Sequence, residues 1–125
     1  MKRYYLRLPG REPIDISSLG TFTVGREGDI VINDKYMSRK HFTIKLPKYD
    51  NERTLVTDGD GANPSRFGTD AAGKFIHSSA PEEKDRSSFI KHNDEVVAGK
   101  TRITYLEFDG QSDTEAGLDD SKKTL

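Results

Sequence analysis

A chain of 125 residues makes one domain around one modest core. Its apolar share is 32%, low beside the usual ~45–50% that also counts glycine, so polar loops or a polar tail must fill much of the length. With no cysteine, and with 20 Lys and Arg set against 21 Asp and Glu, it excludes disulfides, thiolate metal sites and the basic excess of a general nucleic-acid binder.

In chain order, the opening MKRYYLRLPGREP lacks the apolar core of a signal peptide. No later run approaches the ~20 apolar residues that span a bilayer. A cytoplasmic protein is expected, or a nuclear one in a eukaryote, without membrane contact. YYLRL alternates, with Tyr4, Leu6 and Leu8 on one face, and TFTVG, stopped by Gly25, is a second strand. IVI, from Ile30 to Ile32, is too short for a helix. In HFTIKL the side chains of Phe42, Ile44 and Leu46 fall on one side, the pattern of a half-buried strand. RTLVTD runs into the turn signal DGDG, and after a broken region around Gly68 to Gly73 come KFI, SFI, EVVAG and TRITYLEF. Thr101, Ile103 and Tyr105 alternate, whereas Leu106 and Phe108 fall out of phase, which predicts a bulge or a strand covered on both faces. SAPEEKDRSS, from Ser79 to Ser88, reads as a solvated surface loop. No segment carries a helical apolar period, so the fold class is all-β, a sandwich or barrel of many short strands. The domain is placed at 1–109, with an acidic, disordered tail at 110–125.

The chemistry is concentrated in loops. Arg26 follows Gly25 in a tight turn, and Ser38, Arg39, Lys40 and His41 open another strand. In order, Gly25-Arg26, Ser38-x-x-His41 after the short spacer DIVIND, an x-Gly-Thr element and NDEVVAG before the last strand resemble a forkhead-associated (FHA) domain over roughly residues 4–108. The resemblance implies a β-sandwich of two twisted, mainly antiparallel sheets, with loops at one end that bind phosphothreonine peptides. It also implies that Arg26 and Ser38 contact phosphate, that Arg39 touches phosphate or peptide backbone, and that His41 braces the loop.

Residue chemistry agrees with that reading. A phosphothreonine presents ~1.5–2 negative charges and three acceptor oxygens. Arg26 offers a planar fork whose charge does not depend on pH, Ser38 a hydroxyl, and Gly25 the close backbone approach that presents Arg26. A histidine with two ring nitrogens can tie two loop backbones together. The other histidines, His77 and His92, have no metal-ligand spacing to His41.

The third loop departs from the family pattern Ser-Thr-Asn-Gly-Thr. Ser65, Arg66, Phe67, Gly68 and Thr69 align with it, so Phe67 stands where the peptide-orienting Asn belongs, Arg66 lies at the pocket's edge, and Gly68 and Thr69 support the loop. A competing alignment uses Asn63 but loses Gly68-Thr69. Two other motifs fail on inspection. GTDAAGKF has Phe75 where a nucleotide-binding loop needs Ser or Thr, and DGDGANPSRFGT lacks the sixth-position Gly and twelfth-position Glu of a calcium loop. No nucleophile–base or paired-carboxylate arrangement emerges, so no enzyme, metal or cofactor is expected. The expected function is a monomeric phosphothreonine-dependent protein–protein interaction module that recruits phosphorylated partners in signalling, without direct nucleic-acid contact. The alternative is an FHA-fold scaffold with weak or no phosphopeptide binding, for which Phe67 would serve as an apolar anchor.

Overall fold

Short strands that alternate apolar and polar residues can hide their apolar faces only by pairing into sheets and facing those sheets together. The computed structural model describes residues 2–59, 68–77 and 82–109, and in it eleven strands do this. They are β1 (Lys2–Arg7), β2 (Ile14–Asp15), β3 (Thr21–Gly25), β4 (Ile30–Val31), β5 (Phe42–Lys45), β6 (Thr54–Asp58), β7 (Thr69–Ala71), β8 (Lys74–Ile76), β9 (Ser87–Ile90), β10 (Glu95–Ala98) and β11 (Thr101–Asp109). One sheet runs β2-β1-β11-β10-β7-β8 and the other β4-β3-β5-β6-β9. Every pairing is antiparallel except β3 with β4. This is a two-sheet sandwich, one of the two architectures the strand pattern allowed and the one implied by the resemblance of the loop motifs. Residues 1, 60–67, 78–81 and 110–125 lie outside the described set, and with them Arg66, Phe67 and the expected tail.

The core lies between the sheets. Leu6 and Tyr105, opposite one another in register, are fully buried, as are Ile44 and Val56 on the facing sheet. Tyr105 is the largest fully buried side chain, and its phenol oxygen meets Thr54 Oγ1 at 2.6 Å and Glu107 Oε1 at 3.0 Å. A phenol hidden in a core needs such partners. Here the Thr54 contact also ties β11 to β6 across the sandwich. Burial pushes the Tyr105 hydroxyl well above the usual phenol range, so it stays neutral.

Several local expectations meet corrections. β11 keeps unbroken register with β1 from Arg7↔Thr104 to Lys2↔Asp109, so there is no bulge. Of the two alternatives the covered strand is correct. Leu106 is only 6% exposed, sits opposite Tyr5, and the Tyr5 and His92 rings both meet Phe108 edge-on. Of the expected loop from Ser79 to Ser88, residues 79–81 lie outside the described set, Glu83–Arg86 form a 3₁₀ turn, and the last two residues already belong to β9. The broken region after Gly68 contains β7, joined to β8 by a two-residue turn with φ +55° at Ala72 and +77° at Gly73. Positive φ at both central residues is the hairpin geometry that matches strand twist, and it leaves no place for a phosphate-binding strand–loop–helix. β2 also escaped the sequence reading, being two residues long.

Register gathers the important junctions at one end. Val24 pairs with Phe42, Phe42 with Asp58, Thr69 with Ala98, and Ala98 with Thr101. The loops β3–β4, β4–β5, β6–β7 and β10–β11 therefore all leave the same edge of the sandwich.

Candidate functional site

Gly25 closes β3, and the chain turns into Arg26. The next segment, 32–41, folds back against that turn through backbone bonds: Ile32 N–H to Gly25 O at 2.9 Å, Arg26 N–H to Ser38 O at 3.2 Å, and Glu27 N–H to Arg39 O at 2.9 Å. The approach is so close that a Cβ on Gly25 would lie 2.3 Å from Arg39 O and 2.8 Å from Ser38 O. Only glycine permits it.

This folding-back aims the Arg26 side chain. Its Nε donates to Met37 O at 2.8 Å, so the guanidinium plane is held at its root while the residue remains exposed. No other partner of the Arg26 side chain is present among the described residues, and the Nη groups remain for a ligand. Ser38 is half-buried on the adjoining strand of the loop, and its hydroxyl makes no hydrogen bond among the described residues. Arg39 and Lys40 are exposed; Arg39 enters the loop framework through its carbonyl rather than its side chain.

His41 is wholly buried and joins two loops. Its Nδ1 accepts from the Ser38 amide at 3.0 Å, and its Nε2 lies 2.8 Å from Gly68 O. Because a backbone amide can only donate, Nδ1 must be the bare nitrogen, which leaves the proton on Nε2 to be donated to the Gly68 carbonyl. The tautomer follows from the neighbours. One neutral imidazole thus couples the β4–β5 loop to the start of β7. Beside it Thr69, also fully buried, donates its hydroxyl to Asp58 Oδ1 at 2.5 Å, closing β6 and β7 across the two sheets.

A residue that sequence reasoning did not single out anchors the same end. Asp34 is 9% exposed and accepts three hydrogen bonds: Tyr36 N–H on Oδ1 at 2.8 Å, and Lys100 N–H at 2.7 Å and Thr101 Oγ1 at 2.8 Å on Oδ2. Burial works against the charged carboxyl, but the hydrogen bonds from Thr101 and from the Tyr36 and Lys100 amides outweigh it and hold the pKa below the ordinary range. Asp34 therefore stays ionised and pins the β4–β5 loop to the β10–β11 turn. Its signal in the sequence was weak: an Asp two residues before an amide it can cap, in INDKY.

Gly25, Arg26, Ser38, Arg39, His41, Gly68 and Thr69 are thus brought to one end of the sandwich. Among the described residues no cluster of three His, Asp or Glu side chains could hold a metal, and no helix is long and apolar enough to cross a membrane. What the arrangement offers is an arginine fork and a hydroxyl on a braced loop, suited to an anion with several acceptor oxygens.

A family model for the FHA domain matches residues 22–99, and the chain belongs to that family, whose members are phosphopeptide-binding interaction modules. The matched span contains Gly25, Arg26, Asp34, Ser38, Arg39, His41, Gly68 and Thr69. Solved structures agree in fold. The FHA domain of the CT664 protein from Chlamydia trachomatis superposes with TM-score 0.67 at 21% identity, over 86% of this chain and 99% of that one. The Slr1951 protein from Synechocystis sp. gives 0.64 at 22% identity, over 85% and 96%. The MEK1 FHA domain in complex with a HOP1 phosphothreonine peptide gives 0.63 at 20% identity, over 85% and 97%. No curated protein sequence matches significantly.

Proposed function

We propose that this domain is a phosphothreonine-dependent recruitment module: it binds a phosphorylated segment of a partner protein with Arg26 and Ser38 on the phosphate. The observation that carries the reading is the posture of Arg26. Its Nε is committed to Met37 O, its remaining donors are uncommitted among the described residues, and a free hydroxyl at Ser38 stands on the segment bonded to its own backbone. Arginine held at one nitrogen loses little further freedom on binding, which favours a bidentate grip on phosphate. The solved MEK1 FHA domain with its phosphothreonine peptide supports the same direction by likeness of fold. Arg39 supplies field from the rim, and Gly25 and His41 hold the loop rather than touch the ligand.

Preference for phosphothreonine over phosphoserine requires a slot for one methyl group, worth about 0.8 kcal/mol by transfer. The scaffold alternative rests on Phe67, which lies outside the described residues, and no observation favours it. Fluorescence anisotropy with one peptide in phosphothreonine, phosphoserine and unphosphorylated forms tests the proposal. Binding should require phosphate and favour threonine. Arg26→Ala should weaken it by ~1.5–3 kcal/mol or more, the cost of a charge-assisted contact, with melting unchanged, and Lys should restore little because it lacks the fork. Equal binding by Arg26→Ala and the parent domain would reject the assigned site.

A further inference from the structure

None of the ion pairs among the described residues involves the β3–β4, β4–β5 or β10–β11 loops. Lys2 pairs with Glu107, Arg3 with Asp15, Lys84 with Glu82 and Arg102 with Glu95. By contrast Arg26, Lys35, Arg39, Lys40 and Lys100, all on the loops that converge at the site, have no carboxylate partner among the described residues. The acids on those same segments are Glu27, Asp29 and Asp34. Two of them are engaged with backbone: Asp29 accepts from the Thr23 amide at 3.0 Å, and Asp34 takes the three bonds described above. Among the described residues of these three loops, positive side chains thus stand without a carboxylate at ion-pair distance. A single phosphate dianion accounts for Arg26 and its nearest support, not for all five cations.

Two of these cations are organised together. Lys100 Nζ lies 4.4 Å from the centroid of the Tyr36 ring and Lys35 Nζ 5.3 Å from it, while Tyr36 keeps 38% of its surface exposed. The Asp34 carboxylate fixes the backbone of both sides, through the Tyr36 and Lys100 amides. The group also abuts the phosphate side of the loop. A Cβ on Gly99 would lie 3.0 Å from Met37 Cγ, and the Met37 carbonyl is the one that holds Arg26 Nε. The Tyr36 face keeps two flexible ammonium groups in one place without neutralising them.

We infer that Lys35, Tyr36 and Lys100 form a second anion subsite beside the phosphate site, and that the domain selects phosphothreonine segments flanked by Asp or Glu. This rests on the phosphothreonine reading and names the partner class within it: proteins phosphorylated in acidic stretches. The subsite would contribute both a short-range preference and faster encounter with acidic segments, each of which weakens as salt rises.

The test uses the full chain and four synthetic peptides of one length: phosphothreonine flanked by alanines, by glutamates or by lysines, and the glutamate-flanked peptide without phosphate. At 150 mM salt the glutamate-flanked phosphopeptide should bind about three- to tenfold tighter than the alanine-flanked one, the range of one or two exposed ion pairs. Lys35→Ala with Lys100→Ala should erase that ratio yet leave the alanine-flanked affinity in place, while Lys40→Ala should preserve the ratio. Lys35→Glu with Lys100→Glu should invert it in favour of lysine flanks, an effect that a merely structural role would not produce. Equal affinity for both flanks, with phosphate still required, overturns the subsite alone. A preference that survives in the double alanine variant assigns it to general charge and likewise overturns the subsite. Failure of all three phosphopeptides to bind, or equal binding of the glutamate-flanked peptide with and without phosphate, overturns the phosphothreonine reading and this inference together.

Discussion

Replacing His41 by alanine separates a bracing residue from a contacting one. The imidazole is fully buried and serves the Ser38 amide on one side and the Gly68 carbonyl on the other. Alanine removes both of these bonds. A buried polar group left without its partner costs about 1–3 kcal/mol. Gly68 is buried, so its lost bond weighs more; Ser38 is half-buried, so water can reach its amide and the lower part of the range applies. With the space left by the ring, the sum is roughly 2–5 kcal/mol. For a domain of this size that lowers the melting temperature by about 10 °C or more. Thermal unfolding followed by circular dichroism reads the loss directly. Hydrogen exchange adds locality, because the Ser38 amide should lose its protection in the variant whereas the amides paired between β5 and β6 should exchange only through global unfolding. Melting within about 2 °C of the parent domain, or an unchanged Ser38 exchange rate, would refute the bracing role.

Gly25→Ala should hurt both stability and binding, because its Cβ would meet the Arg39 carbonyl oxygen at 2.3 Å and main chain cannot swing aside as a side chain can; overpacking of this kind costs ~1–3 kcal/mol. An alanine variant that melts and binds like the parent would mean that the loop does not close on β3 as described. Ser38→Ala should reduce phosphopeptide affinity by about 0.5–1.5 kcal/mol while leaving melting nearly unchanged, since its amide rather than its hydroxyl carries the His41 bond; calorimetry and melting on the same sample check both halves. Asp34 predicts an acid-sensitive latch. Its folded pKa lies below the unfolded value, so its contribution is fully present above the ordinary carboxylate range and is lost as pH falls through the depressed folded pKa, below about pH 4. Asp34→Asn should therefore lower melting at pH 7 and show a smaller difference from the parent near pH 3; a constant difference across that range would remove the carboxylate from the latch.

Much of the frame was legible because strands write their burial as alternation. Phe42 and Ile44 are buried and Lys45 exposed, as a period of two requires. The elements that escaped were too short to carry a period. β2 has two residues and β7 three, and each is stabilised by a neighbouring strand rather than by its own sequence. Leu106 left two alternatives open for a different reason. It faces away from the sandwich core, yet a second apolar patch of Tyr5, Phe108 and His92 surrounds that side of the strand, so its phase reports local cover rather than a bulge.

The site divides in the same way. Gly25, Arg26, Ser38 and His41 could be picked out because they form a spaced pattern in one stretch, and each has a residue type that the geometry demands. Arg26 needs its fork, His41 its two nitrogens, and Gly25 the absence of a side chain against Arg39 O. Asp34 stood in the same stretch and said little, because its partners, Lys100 and Thr101, lie 66 and 67 positions away along the chain. Its role exists only once β10 and β11 have brought their turn beside the β4–β5 loop. What it fixes is backbone, at Tyr36 and Lys100, and those two positions carry the aromatic face and the ammonium that no motif marks. On the reading proposed above, the residues assigned to phosphate are constrained by their own chemistry, whereas the choice among phosphorylated segments would fall to side chains that one buried carboxylate has placed together from distant parts of the sequence.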